Sequence, residues 1–463
     1  MVVQEGERPT LPPPRPLDKV LLPLQSLFQH NLAGALLLLA AAVIAVLLAN
    51  SPLAPAFEHL LHTSIAIRFG DALLEKSLQH WINDGLMGIF FFFVGLEIKR
   101  EVRVGELSTL KQAALPAVGA LGGMVFPALI YAAINFGSKS MGGWGIPMAT
   151  DIAFALGVVA LLGDHVPKSL KVFLTALAIV DDIGAVLVIA VFYTDNVALL
   201  SLFLGGVILV ISLIANRLQL RSTMFYLVLG LMSWLAFVQS GVHATVAAIL
   251  MAFTIPAQTR LNGTEFLRNI RGHLAELVEH GKPKDRDLNT AKQHQVFIEM
   301  KRTVDFAISP LQRLETVLAV PVTFIVLPIF ALANAGVPLH LSLGDAFSSK
   351  ITLGVFFGLV LGKPLGVFVS AWIAIRLGVA ELPKGVTLVH LLGAGLLAGV
   401  GFTMALFISA LAFTPAALLA EAKLGVMTAS VFAGLTGYAW LRFLPSTSDP
   451  GSRSLRNNVK NLR

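Results

Sequence analysis

The chain has 463 residues, of which 56% are hydrophobic and only 13% charged, and a net charge of +7. A soluble domain averages about a quarter charged residues, so the composition indicates a polytopic membrane protein and excludes a globular enzyme with one anchor. There is no cysteine, which rules out disulfides, thiolate metal sites and cysteine nucleophiles. The positive charge does not point to nucleic acid, because the basic residues fall between apolar runs, where orientation signals belong.

Residues 1–18 contain PTLPPPRP and are expected to form a disordered arm. The first apolar run, 31–50, is too long for a signal-peptide core and is followed by others, so it reads as a retained helix. Further spans are expected at 81–98, 113–135, 143–162, 170–193, 197–215, 223–238, 240–257, 316–335, 351–375, 386–413 and 420–442. The fold class is thus all-α and polytopic, with about twelve transmembrane helices. Only VQSG separates the seventh span from the eighth. Between the first two spans, segment 51–75 includes IAIRF, a candidate strand that is equally a simple lid. Segment 258–315 carries the one sizeable run of mixed charge, HGKPKDRDLNTAKQHQ, and reads as a partly helical, solvated loop. A basic tail, 443–463, follows the last span.

Lys and Arg orient the spans. With the N-terminus inside, the inner segments hold Lys99, Arg100, Arg103, Lys111, Lys168, Lys171, Arg217, Arg221, Arg376, Lys384 and the tail residues Arg453, Arg456, Lys460 and Arg463. The outer loops hold little beyond Arg68, Lys76, Lys139, Lys350 and Lys423. This asymmetry predicts both termini in the cytoplasm.

The most telling feature is Asp181-Asp182, adjacent acids inside the apolar run 170–193. Carboxylates at that depth lose water and repel each other, so they persist most readily where a proton or metal ion visits. Other ionisable residues within spans are Asp84, Glu97, Asp151, Lys363, His243 and His390, with Lys363 the one deep cation expected. Asp151 and Asp181 each lie about 17 Å from the short turn joining their helices, near the bilayer midplane. Lys363 is central in its own span. Adjacent helical residues point about 100° apart, so Asp181 and Asp182 cannot both face one small cavity. One can pair with Lys363 while the other meets the ion.

Two spans are rich in helix-weakening residues. The fourth reads GGWGIPMATDIAFALG and the eleventh LLGAGLLAGVGFTMALF. Broken helices expose amides and carbonyls, and Asp151 and Lys363 could compensate those partial charges instead of binding an ion. In the tenth span, glycines 354, 358, 362 and 366 line one face and permit close helix contact, while Pro364 frees the carbonyl of Val360.

WINDGLMGIFFFFVGLEIKRE (81–101), IPMATDIAFALGV (146–158), LAIVDDIGA (177–185), SGVHATVA (240–247), FALANAGV (330–337), GKPLG (362–366) and GFTMALFI (401–408) resemble the NhaA sodium/proton antiporters, in order and over about residues 20–442. That family is itself a standard example of inverted-repeat transporters with broken helices at a midplane site. The resemblance implies inverted-topology repeats, helices 3–5 and 10–12, with helices 4 and 11 unwound and crossed. It implies that Asp182 is the central carboxylate binding cation or proton, with Asp181 beside it and paired with Lys363. The transported Na⁺ or Li⁺ would meet Asp182 and Asp181, with Thr150 and Asp151 as neighbouring polar groups. It connects His243, Glu97, Glu101 and Glu315 with pH response near the cytoplasmic side, and Asp84 with the outward path. It implies electrogenic exchange, no cofactor beyond the transported Na⁺, Li⁺ and H⁺, a bacterial inner membrane, and a homodimer through segment 51–75. The sequence departs from compact members in its longer 258–315 segment and in Ala319, where some carry a histidine.

Two rivals are weaker. A cation channel would need a continuous pore, which two interrupted helices and a lone lysine do not suggest. An intramembrane aspartyl protease needs its two acids on different helices to share one water, whereas here the closest pair is adjacent on one helix.

Overall fold

The computed structural model describes residues 31–69, 72–194, 197–280, 291–338 and 348–444. The arm over 1–18, residues 281–290 of the charged run and nearly all of the tail over 443–463 lie outside these.

Helix α1 (Asn31–Ala49) is followed by a short helix, α2 (Ala54–His62), and an antiparallel hairpin of β1 (Ser64–Phe69) and β2 (Ala72–Ser77). Its register pairs Ser64 with Ser77 and Ile67 with Leu74. IAIRF therefore does form strand, within segment 51–75. The continuous span α3 (Leu78–Val104) leaves the hairpin, and α4 (Leu110–Ile134) returns. A 3₁₀ stretch (Lys139–Met148) leads to α5 (Ile152–Leu162). Three long apolar helices follow: α6 (Lys168–Phe192), α7 (Leu199–Arg217) and α8 (Thr223–Ser240). A left-handed glycine, Gly241, turns the chain into the short α9 (Ala244–Thr254). The second half comprises α10 (Gly263–His280), α11 (Ala291–Ala307), α12 (Pro310–Asn334), α13 (Lys350–Arg376), α14 (Leu388–Ala398), α15 (Phe402–Ala412) and α16 (Ala416–Phe443).

Among the described residues, nine helices are long and apolar enough to cross a membrane, and two broken pairs bring the number to eleven. The expected span 240–257 is shorter than predicted. Its helix has 11 residues, and about 17 Å of helix cannot bridge a hydrocarbon core of about 30 Å. Two other spans are longer than expected. Helix α3 runs through Lys99, Arg100, Glu101 and Arg103, and α12 begins at Pro310, so Glu315 is helical and not in a loop. Charged residues at a helix end cost little where they reach water, so hydropathy misplaces such ends.

The described residues of segment 258–315 are largely helical, in keeping with the expected partly helical loop. Helices α10 and α11 pack on one another as a hairpin, and Ser309 caps α12 with a reciprocal bond to Gln312.

The core is built on close helix contact. A Cβ at Gly366 would lie 2.1 Å from the carbonyl oxygen of Gly122, and one at Gly362 would lie 2.7 Å from Cα of Pro127. The tenth-span glycine ladder thus lays α13 directly on α4. Within α13, the turn Gly358–Gly362 widens to π geometry, and the Lys363 amide donates to Gly358. Pro364 has no amide and its ring crowds the preceding turn, so a wider turn accommodates it. The same device recurs in α12, where Val322–Val326 is π-helical ahead of Pro328.

Candidate ion-binding site at the helix crossing

Helical hydrogen bonding stops at 149–151 and again at 399–401. The chain bends by 41° at the first break and by 48° at the second. The first follows from local packing. A Cβ at Gly143 would sit 2.4 Å from the Tyr131 hydroxyl oxygen, so bulk is excluded there. The Tyr193 hydroxyl donates to the Gly142 carbonyl at 2.8 Å and accepts from the Gly145 amide at 3.3 Å, holding the tight 3₁₀ stretch. Extended backbone at Ala149 and Asp151 then opens the helix.

The two breaks touch. The Asp151 amide donates to the Val400 carbonyl at 2.7 Å, and the Thr150 hydroxyl donates to the Ala398 carbonyl at 2.8 Å. Carbonyls freed by one break are thereby satisfied by the other, as burial demands.

Asp151 caps two helices at once. One carboxylate oxygen accepts from the Phe154 amide at 2.9 Å, at the start of α5. The other accepts from the Thr403 amide at 3.0 Å and its hydroxyl at 2.5 Å, at the start of α15. A carboxylate facing two helix N-termini offsets the positive ends of both dipoles. Of the two roles the sequence left open for Asp151, charge compensation is the one its bonds support.

Lys363 is the middle residue of Lys350–Arg376. Its ammonium donates to both oxygens of Asp181, each at 2.7 Å, and to the Met148 carbonyl beside the first break. Both side chains of the pair are 0% exposed. Thr150 lies against the Asp181 carboxylate. Asp182, next in the chain, takes none of these bonds from Lys363. It is 2% exposed, and its Oδ1 is buried without a hydrogen-bond partner among the described residues. Asp181, Asp151 and Glu97 are the acids within electrostatic reach of it. The crossing thus assembles three carboxylates of different standing: one ion-paired, one capping and one unengaged at an oxygen.

Glu97, Glu101 and Glu315 gather at the other end of α3, about Arg100. The guanidinium meets Glu315 at 2.8 Å and Glu101 at 2.9 Å, and Glu101 also accepts from the Glu106 amide at 2.9 Å. His243 does not join them, which corrects its expected grouping. It caps α9 and stands 3.7 Å from Asp84, at the hairpin end, where His80 approaches the same carboxylate at 3.6 Å. The reason is that His243 begins α9 whereas the end of α9 meets Lys99, so the two ends lie at different levels of α3. His390 forms a capping box with Thr387, a structural role.

Sequence reasoning missed several partners. Thr403 sits inside a quoted motif, yet its contact with Asp151 spans 252 residues. The sequence marks Arg100 only as an orientation signal, whereas its guanidinium joins Glu101 and Glu315. Lys363 is also not the one buried cation, since Lys99 and Lys423 are buried as well. Lys99 donates to the carbonyls of Phe253 and Ile255 and so closes the C-terminal end of α9.

The family model described as Na⁺/H⁺ antiporter 1 matches residues 25–441. Among curated relatives, "Na(+)/H(+) antiporter NhaA 1" of Saccharophagus degradans is 45% identical over 431 residues, covering 92% of each chain. "Na(+)/H(+) antiporter NhaA" of Oleidesulfovibrio alaskensis is 46% identical over 439 residues, covering 94% of this chain and 97% of its own. Among solved structures, a sodium proton antiporter from Methanocaldococcus jannaschii aligns with a TM-score of 0.46 at 14% identity, over 92% of this chain and 98% of that one. A likeness that loose carries no argument. The family match and the near-full-length relatives show the family: the chain belongs to the Na⁺/H⁺ antiporter 1 family, whose members are membrane transporters.

Proposed function

We propose that this protein exchanges cytoplasmic Na⁺, or Li⁺, for external protons, with Asp182 as the carboxylate that holds either cation. The observation that carries the reading is the buried, unpartnered Oδ1 of Asp182 beside a fully buried Asp181–Lys363 pair. A carboxylate oxygen sealed from water without a donor is costly, and a proton or a small cation relieves the cost.

The charge count follows from the pair. With Asp182 protonated and Lys363 paired to Asp181, a sodium ion that takes up Asp182 and Asp181 displaces the ammonium from its carboxylate. The Asp182 proton and one from the released lysine then leave. Two protons for one sodium moves a net charge per cycle, so transport is electrogenic and the membrane potential, about 2.3 kcal/mol per charge per 100 mV, drives it. Thr150 and the Met148 carbonyl supply neutral oxygens at the same point. Asp151 keeps the broken ends compensated while the site alternates between its two faces.

In this reading the transporter unit is 19–442, with α4–α6 and α13–α16 as inverted repeats and both termini in the cytoplasm of a bacterial inner membrane. The cluster of Glu97, Arg100, Glu101 and Glu315 lies on the cytoplasmic path and responds to pH. Asp84, with His243, lies on the outward path. The β1–β2 hairpin pairs two copies.

Everted membrane vesicles with a ΔpH dye test the core of this. Addition of Na⁺ or Li⁺ is expected to dequench the dye for the wild type and to have no effect for Asp182→Asn. Full activity in Asp182→Asn would move the site elsewhere, and no response from folded wild type would overturn the exchange itself.

A further inference from the structure

The insertion hairpin carries chemistry that ion exchange does not use. On α10, His273 and Glu276 stand one turn apart and share a face. Glu299 and Thr303 stand one turn apart on α11. The ring nitrogen Nε2 of His273 lies 3.1 Å from the Thr303 hydroxyl oxygen. Its Nδ1 lies 3.8 Å from Oε2 of Glu299. One ligand atom from each of His273, Glu276 and Glu299 falls within 4.8 Å of the others.

Two features separate this group from a chance surface cluster. The first is the histidine's second nitrogen. In the tautomer that donates Nε2–H to Thr303, Nδ1 keeps a lone pair on the side of Glu299, the arrangement that orients a metal-binding imidazole. The second is the spacing. At 3.8 Å, Nδ1 and Glu299 are too far apart for a hydrogen bond. Two ligands held at about 2.0–2.2 Å from one tetrahedral ion stand roughly 3.3 Å apart, so a small side-chain rotation brings Nδ1 and Glu299 to that spacing. Among the described residues, neither glutamate is ion-paired to a lysine or arginine, although Arg268, Arg271, Lys301 and Arg302 lie on the same two helices. The Glu299 side chain is 41% exposed, so an ion can enter from solvent.

We propose that His273, Glu276 and Glu299 bind a divalent transition-metal ion of the Zn²⁺ class, clasping α10 to α11. One imidazole and two carboxylates from two helices form a three-ligand set that leaves a fourth position for water. The clasp sits one helix away from Glu315, because α11 leads through the capped turn at Ser309 into α12, and Arg313 bridges the two helices to Asp305 at 2.8 Å.

The test is Zn²⁺ titration of full-length, detergent-solubilised, metal-stripped protein without a polyhistidine tag, by calorimetry and by competition with a chromophoric chelator. The wild type is expected to bind one ion per chain. His273→Ala and Glu299→Gln are each expected to weaken binding by about tenfold or more, with unchanged helical circular dichroism. Absence of saturable binding in the wild type would overturn the proposal, as would equal affinity and stoichiometry in both variants. Transport assays do not enter this result, so it stands or falls apart from the exchange mechanism.

Discussion

Two ion-paired regions of this molecule use the same chemical groups in opposite surroundings. At the crossing, Lys363 and Asp181 are 0% exposed and make a bidentate contact. At the insertion end, Arg100 is 35% exposed and Glu315 17%. Coulomb attraction at contact is about 1 kcal/mol in bulk water and several-fold larger in a protein interior, and the desolvation cost rises with it. The buried pair is therefore interdependent: removing one partner leaves the other's charge sealed without compensation, and in the proposed exchange an arriving cation takes one partner's place. The outer cluster reaches solvent through Arg100, so its pairs are screened more than the Lys363–Asp181 pair. Depth, more than residue type, sets what a pair can do.

The sharpest way to break the comparison is to remove one buried partner. Lys363→Met leaves Asp181 sealed without its counter-charge, and a loss of about 3–5 kcal/mol is expected. It would be read as a lowered thermal midpoint of the detergent-solubilised protein. Lys363→Met combined with Asp181→Leu should recover much of that stability while antiport stays lost. If the single variant is as stable as wild type, the pair is not the closed unit its geometry describes.

An intermediate effect is expected at Asp151. Asp151→Ala removes caps from α5 and α15 together, and at about 0.5–2 kcal/mol per cap the loss should be roughly 1–4 kcal/mol. Asp151→Asn keeps acceptor capacity and should retain most of the stability and measurable exchange. Equal loss in both variants would show that its charge, and not its capping bonds, is what matters.

The smallest effect is expected at the outer cluster. Arg100→Ala or Glu315→Gln should change stability by no more than about 1 kcal/mol, diminishing further in concentrated choline chloride. Exchange should persist with an altered pH profile. A stability loss comparable with that of Lys363→Met would erase the distinction between the two regions.

What the chain's own order settles can be seen residue by residue. Hydropathy located almost every span, because apolar runs of this length have no other stable solvent. Asp181, Asp182, Asp151 and Lys363 stood out because charge inside such runs is costly wherever it occurs. The glycine ladder announced close packing, and α13 does lie on α4 through it. None of this required knowing which helix meets which.

Contacts between distant segments were decided only in three dimensions. Asp151 meets Thr403, and Arg100 meets Glu315, across more than two hundred residues in each case, and no local pattern encodes such a meeting. His243 went to Asp84 and not to Glu97, because it begins α9 at the hairpin end of α3 while the other end of α9 meets Lys99. The unequal fates of Asp181 and Asp182 were settled in the same way. Sequence makes them neighbours about 100° apart on a helix, but only the packing of α13 on α4, and of α4 on α6, delivers Lys363 to one and leaves the other's oxygen unengaged. Burial cost is a property of sequence, whereas the partner that offsets it is a property of the fold.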